Sequence, residues 1–254
     1  MTKFVLRDAI CMYNGNDISG DLQTIELAYS SDLQDSTAFG DLSRRRLPGL
    51  LDVSSSHQGY YDHVEEVGPP IDSLDKDLFE KIAATSSLMS FSADGGQGGE
   101  VGFSYIPQAA AYNPGASVGE VYAFTLECVG DGPLVGGTVM EKAVFTSTTS
   151  GTSRQLGAVL ATQTITSTIH VTGVVSGTNP TLDVTVESDD DTGFASATVQ
   201  MTHPQFTAIG SNQQTIVNTA ETDDWWRLVL TIGGTDTPTF TVFGIIGIQL
   251  TLTP

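Results

Sequence analysis

Leu22-Gln23-Thr24-Ile25-Glu26-Leu27-Ala28-Tyr29 is the stretch on which the fold class turns. Ile25, Leu27 and Tyr29 fall at every second position. Successive side chains of an extended chain point to opposite faces, so this period marks a half-buried strand. The pattern recurs along the chain. Tyr122, Phe124 and Leu126 share one face of Glu120 to Cys128. Ile165 to Val171 alternates with Thr164, Thr166, Thr168 and His170, and Leu182, Val184 and Val186 alternate with Asp183, Thr185 and Glu187. Trp226, Leu228, Leu230 and Ile232 form a further face. A mainly β chain follows.

One segment has a helical period instead. Ile71, Leu74, Leu78 and Ile82 lie on one stripe behind Pro69-Pro70, with Asp72 or Ser73 as cap, which predicts a helix over about residues 71–85. Asn14 to Gly59 is polar, with one clear strand, and reads as a long loop of the functional or assembly kind. Thr146 to Ser153 (TSTTSGTS) has the composition of a linker. Two domains are therefore expected. Residues 1–148 would hold a sheet and the helix, and residues 149–254 an all-β sandwich.

The 254 residues carry 30 Asp and Glu against 10 Lys and Arg, a net charge of −20. Phosphate-dominated binding of duplex DNA needs a basic face and is excluded on that ground. Cys11 and Cys128 are too far apart for a CxxC site and read as buried thiols of a reducing compartment. The N-terminus lacks the apolar stretch of a signal peptide. The uncharged run Thr237 to Pro254 alternates like a strand, so no membrane span is expected.

Candidate chemistry is sparse. His57 and His63 lie among Tyr60, Tyr61, Glu65 and Glu66 without metal-ligand spacing, so no metal site is assigned. Gly115-Ala116-Ser117-Val118-Gly119 matches GxSxG, but a strand follows it where a nucleophile elbow needs a helix. Asp94 to Gly99 reads as a hairpin turn, lacking the lysine and helix of a phosphate loop. Asp189-Asp190-Asp191 lacks EF-hand spacing and reads as a solvated turn, with a weak Ca²⁺ site left open. Trp225 and Trp226 must point to opposite faces of a strand, one to the core and one away from it. No catalytic residue and no cofactor is expected. Arg44-Arg45-Arg46 is the one basic cluster, suited to ion pairs with a neighbouring subunit.

Asp17-Ile18-Ser19-Gly20-Asp21 leads into the first strand. Ser36-Thr37-Ala38-Phe39-Gly40-Asp41, the arginines, Leu47-Pro48-Gly49-Leu50 and Gly59-Tyr60-Tyr61 follow in order, and Gly132 to Val139 closes the series. This succession, over residues 8–145, resembles the major tail (tail tube) proteins of long-tailed bacteriophages. The second part looks like the C-terminal module of some such proteins. The resemblance implies a tail-tube-like β-sandwich/barrel domain with one α-helix, then a sandwich domain. It implies a virion protein that stacks in rings of six, or of three with pseudo-hexameric symmetry, around a DNA-conducting lumen, alongside other tail proteins. Arg44, Arg45, Arg46, Phe39, Tyr60 and Tyr61 would then be subunit contacts, and Glu26 and Asp21 would face the lumen. DNA would pass without specific binding, since anionic walls repel phosphate. A capsid-decorating or fibre-like protein and a carbohydrate-binding β-sandwich module are the alternatives.

Overall fold

The computed structural model describes residues 8–61, 78–79, 82, 87–175, 177–217 and 220–250. In chain order the strands are β1 (Ile10–Tyr13), β2 (Asn16–Asp17), β3 (Leu22–Asp35), β4 (Arg46–Tyr60), β5 (Met89–Ser92) and β6 (Val101–Tyr105). Next come β7 (Pro107–Gly115), β8 (Ala123–Gly130), β9 (Val135–Phe145), β10 (Thr149–Ser150), β11 (Arg154–Gln155) and β12 (Gln163–Val175). The last are β13 (Thr178–Asp189), β14 (Thr198–Thr202), β15 (Gly210–Val217), β16 (Trp225–Thr235) and β17 (Thr239–Leu250). The mainly β expectation holds. The helix expected over about 71–85 falls largely outside the described residues, which within it comprise only Leu78, Phe79 and Ile82.

The chain divides into two compact units, but not at residue 148. One unit comprises Met1–Ser19, Leu88–Ser104 and Val135–Pro254; the other comprises Gly20–Ser87 and Tyr105–Leu134. Strands from both sides of residue 148 share one sheet. The TSTTSGTS stretch is no linker, because Thr149–Ser150 is strand β10, paired with β16. A short edge strand needs few apolar residues, so composition alone does not separate it from a loop.

The larger unit has an eight-stranded sheet, β15-β12-β17-β9-β6-β5-β1-β2, and a second sheet, β10-β16-β13-β14, with β11 also on β16. Leu182, Val184 and Val186 of β13 stand in register with Ile232, Leu230 and Leu228 of β16. They meet Ile165, Ile169 and Val171 of β12 and Phe240, Val242 and Ile246 of β17 in one core, as in a sandwich. Trp226 lies in this core and donates its indole N–H to the Gly157 carbonyl at 3.0 Å.

The other face of β12 departs from expectation. Thr166, Thr168 and His170 are buried too. The eight-stranded sheet curls until its edges meet at Gly15 and Gly210, where a Cβ on Gly15 would stand 2.6 Å from the Gly210 nitrogen. The curled side encloses Ile10, Met12, Val139, Phe243 and Ile245. It also encloses polar groups that satisfy one another. Ser104 and Thr168 hydroxyls are 2.9 Å apart. His170 accepts the Gly15 N–H on Nδ1 at 3.2 Å, so its Nε2 carries the proton and donates to the Ser90 hydroxyl at 2.9 Å. Sequence alternation places these polar residues on a wet face; curling removes the water.

The smaller unit is a four-stranded antiparallel sheet, β3-β4-β8-β7. One face is buried: Ile25, His57, Leu126 and Tyr112 form one register row, and Leu27, Ser55, Cys128 and Ala109 another. The Ser55 hydroxyl lies 2.7 Å from His57 Nε2 and 2.5 Å from the Tyr105 hydroxyl. Asn14 to Gly59 is thus no long loop. Much of it is the paired strands β3 and β4. Beyond Tyr29 both faces of the hairpin meet solvent, so the period-two signal fades although pairing continues to Asp35 and Arg46.

Candidate assembly surface

The second face of the four-stranded sheet is open. Glu26, Ser56, Glu127 and Ala111 form one register row across it. Ser56 donates to Glu127 Oε1 at 3.0 Å. Neighbouring rows contribute Ala28, Ser54 and Val129 on one side and Gln58, Thr125 and Asn113 on the other. None of these is Lys or Arg. A shallow hollow over the face is lined by Glu26, Ala28, Ser54, Ser56 and Glu127. Glu26 therefore sits on an exposed, anionic, hydroxyl-rich face, and sequence reasoning missed its companion Glu127. The signal was present, since Glu127 alternates with Leu126 and Cys128 on a half-buried strand. Asp21 ends the short 3-10 turn before β3, its carbonyl oxygen close beneath Gly59.

The outer strand β3 has one side unpaired among the described strands, and the outer side of β7 carries a single parallel bridge, from Ala109 to Ile82. Exposed edges of this length invite pairing with another chain. The β3–β4 hairpin runs on past the sheet as an arm with Leu33, Leu47, Leu50 and Leu51 exposed. Phe39 and Leu42 at its tip are fully exposed. Asp35 organises the tip turn by accepting from the Thr37 backbone at 2.9 Å and hydroxyl at 2.6 Å, which holds its carboxyl below the ordinary carboxylate range. Arg45 pairs loosely with Asp41 at 3.4 Å, a solvated contact worth little by itself.

Of the residues expected at interfaces, Phe39, Arg44, Arg45 and Arg46 come together at the arm tip. Tyr60 is exposed at the far end of β4. Tyr61 stacks edge-on against Tyr122 at 4.9 Å.

The remaining candidates are structural. His57 is buried, and its surroundings push its pKa down to about 4 by desolvation; His63 lies outside the described residues. Ser117 sits in the exposed turn between β7 and β8. Asp94 to Gly99 forms the turn between β5 and β6, as expected. Asp189 accepts from the Ser196 N–H at 2.9 Å, the Ser196 hydroxyl at 3.1 Å and the Asp191 N–H at 3.2 Å. Among the described residues no group of His, Cys, Asp and Glu is arranged to hold a metal ion. Trp226 is core and Trp225 half-buried on the opposite face. Cys11 and Cys128 are buried and in no disulfide, and desolvation pushes the Cys128 thiol up to about 12. Among the described residues no helix is long and apolar enough to cross a membrane.

No protein-family model and no curated protein matches the sequence. Solved structures do, at low identity. The chain is similar to a protein of the native gene transfer agent virion, at 11% identity over 49% of this chain and 92% of that one, TM-score 0.39. It is similar to the SPP1 Dit protein, from the hub adsorption apparatus of Gram-positive infecting phages, at 14% identity over 94% and 99%, TM-score 0.37. It is also similar to a chain of the phage p2 baseplate, at 9% identity over 94% and 97%, TM-score 0.37. These neighbours are components of phage-type virions, tails and baseplates. With TM-scores below 0.5, the functional reading rests on the sheet and its arm.

Proposed function

We propose that this chain is a non-enzymatic structural subunit of a phage tail, a tail tube protein that assembles with its own copies into stacked rings of a virion. The observation that carries the reading is the four-stranded sheet with one buried face, one anionic face and an outer strand, β3, whose far side pairs with no described strand. Edge-to-edge pairing of such sheets closes a barrel and hides every edge. Glu26 and Glu127 would then line a lumen without cations, along which DNA slides because no phosphate contact holds it. Arg44, Arg45, Arg46 and Phe39 would serve ring-to-ring contact. Electron microscopy of the purified protein across a concentration series tests this. Uniform hollow rings or tubes are expected; monomers and dimers at every concentration would refute it. Changing all three arginines to Glu should leave a folded monomer that builds no tubes.

A hub subunit at the tail tip is the second reading. It is favoured by the larger unit, with its curled sheet and sandwich, which a plain conduit wall does not require. Single rings that never stack would decide for it.

A further inference from the structure

The curled sheet of the larger unit ends in β15 on one side and β2 on the other, and these two strands share no ladder. They meet at a seam, where a Cβ on Gly15 would strike the Gly210 backbone. Two hydrogen bonds to side chains tie it. His170 of β12 accepts the Gly15 N–H on Nδ1 at 3.2 Å, and the Ser211 hydroxyl of β15 donates to Asn14 Oδ1 at 3.3 Å. Both lie at the long end of the hydrogen-bond range.

The first bond needs a bare ring nitrogen. His170 is buried and gives its Nε2 proton to the Ser90 hydroxyl, which leaves Nδ1 as the acceptor. An imidazolium has no acceptor, so a proton on Nδ1 would set donor against donor at the Gly15 N–H. His170 faces Asn14 and Gly15 of the β1–β2 turn, Ser90 of β5, Ser211 in register on β15 and Phe243 in register on β17. None of these carries charge. On β1 the same side presents Ile10 and Met12. Asp17 of β2 accepts from Ser19, and Lys142 of β9 donates to the Gly95 carbonyl. His203 is taken up by Ser167 and Asn212. Among the described residues no carboxylate pairs with His170, and burial holds it down to about 3.

We infer that His170 is a proton-operated latch: a proton on Nδ1 releases the β1–β2 turn from β12 and opens the curled sheet along its seam. The device goes beyond the tail-subunit reading and stands without it. Opening needs only the turn and β2 to swing away. The ladders from β1 to β15 and the sandwich core around Leu182, Val184 and Val186 stay closed, so the seam opens before the unit unfolds. An open seam bares the outer sides of β2 and β15, where another strand can pair. With its imidazole in water the open form titrates near 6.5. Its population therefore rises about 30-fold between pH 7.5 and pH 5.

The test is hydrogen exchange of the full chain at pH 7.5 and 5, read by mass spectrometry and corrected for the intrinsic exchange rate at each pH. Peptides covering β1–β2 and β15 should open about 30-fold more at pH 5, well ahead of those covering β13. His170→Gln keeps an acceptor for Gly15 and a donor for Ser90 but takes no proton, so its seam peptides should lose the response. Ser211→Ala removes only the second bond. It should open the seam more at both pH values and keep the response. Seam peptides that ignore pH in the unsubstituted chain overturn the latch. So do β13 peptides that accelerate equally, because then the whole unit opens. A response that survives in folded His170→Gln belongs to another group and overturns it too. Should His170→Gln fail to fold, the unsubstituted chain and Ser211→Ala decide by the same criteria.

Discussion

Acidification should destabilise this protein through its buried histidines. Desolvation pushes three buried histidines down, His57 and His203 to about 4 and His170 to about 3. In the unfolded chain each returns to about 6.5. Below that pH the unfolded state takes up protons that the folded state refuses, so stability rises with pH and is lost as pH falls from about 6.5. At 1.36 kcal/mol per unit, each histidine costs about 2 kcal/mol by pH 5, which makes about 4 kcal/mol for the two in the larger unit and about 2 kcal/mol for His57 in the smaller. That is a large part of the 5–15 kcal/mol typical of a folded domain. Asp190 is held above the ordinary carboxylate range by its hydrogen bond to Asp189, whose own carboxyl is held below it, so the two carboxyls of this pair act with opposite signs. Urea unfolding between pH 7.5 and 5 measures the effect. His170 and His203 belong to the larger unit and His57 to the smaller, so separate transitions should release the slopes of two protons and one. His203→Gln should remove one proton from the first slope. Stability that is flat between pH 7 and 5 would refute the argument, because then these imidazoles are either wet or already charged.

Three further outcomes follow from the packing. Trp226→Ala should cost about 3–5 kcal/mol of the larger unit's stability, read by thermal melting, as it empties a core site and strands the Gly157 carbonyl. Gly15 has a φ of +90° and abuts Gly210, so Gly15→Ala should cost about 2–4 kcal/mol and broaden amide exchange in β2 and β15. Glu26→Lys with Glu127→Lys should change melting by no more than about 1 kcal/mol, yet assembled tubes should then retain added DNA at low salt and release it at high salt.

The strands were legible wherever one face is dry and the other wet. β13 and β16 announce themselves because Leu182, Val184, Val186, Leu228 and Leu230 alternate with polar neighbours. β12 was found, but the burial of Thr168 and His170 was not, since local alternation cannot tell a wet face from one that a curled sheet has closed. The arm hid for the opposite reason: with both faces in solvent, Leu33, Leu47 and Leu50 need no period. The domain boundary was misplaced because sheet membership is non-local. β1 and β17 lie more than 200 positions apart, and no compositional change marks that they share a sheet. Glu26 was readable as an exposed carboxylate, but its row with Ser56 and Glu127 exists only once register is set.

The larger unit is threaded from three separate lengths of chain, and that has a temporal meaning. During synthesis β3, β4, β7 and β8 are all made by Gly130, so the sheet with the open edge can form early. β17, which lies between β9 and β12, is made after every other described strand of that sheet. Non-local pairing of this kind is slow, because loop closure precedes reward. A nascent chain therefore exposes an adhesive edge and tip before β17 has joined β9 to β12 in the larger unit's sheet.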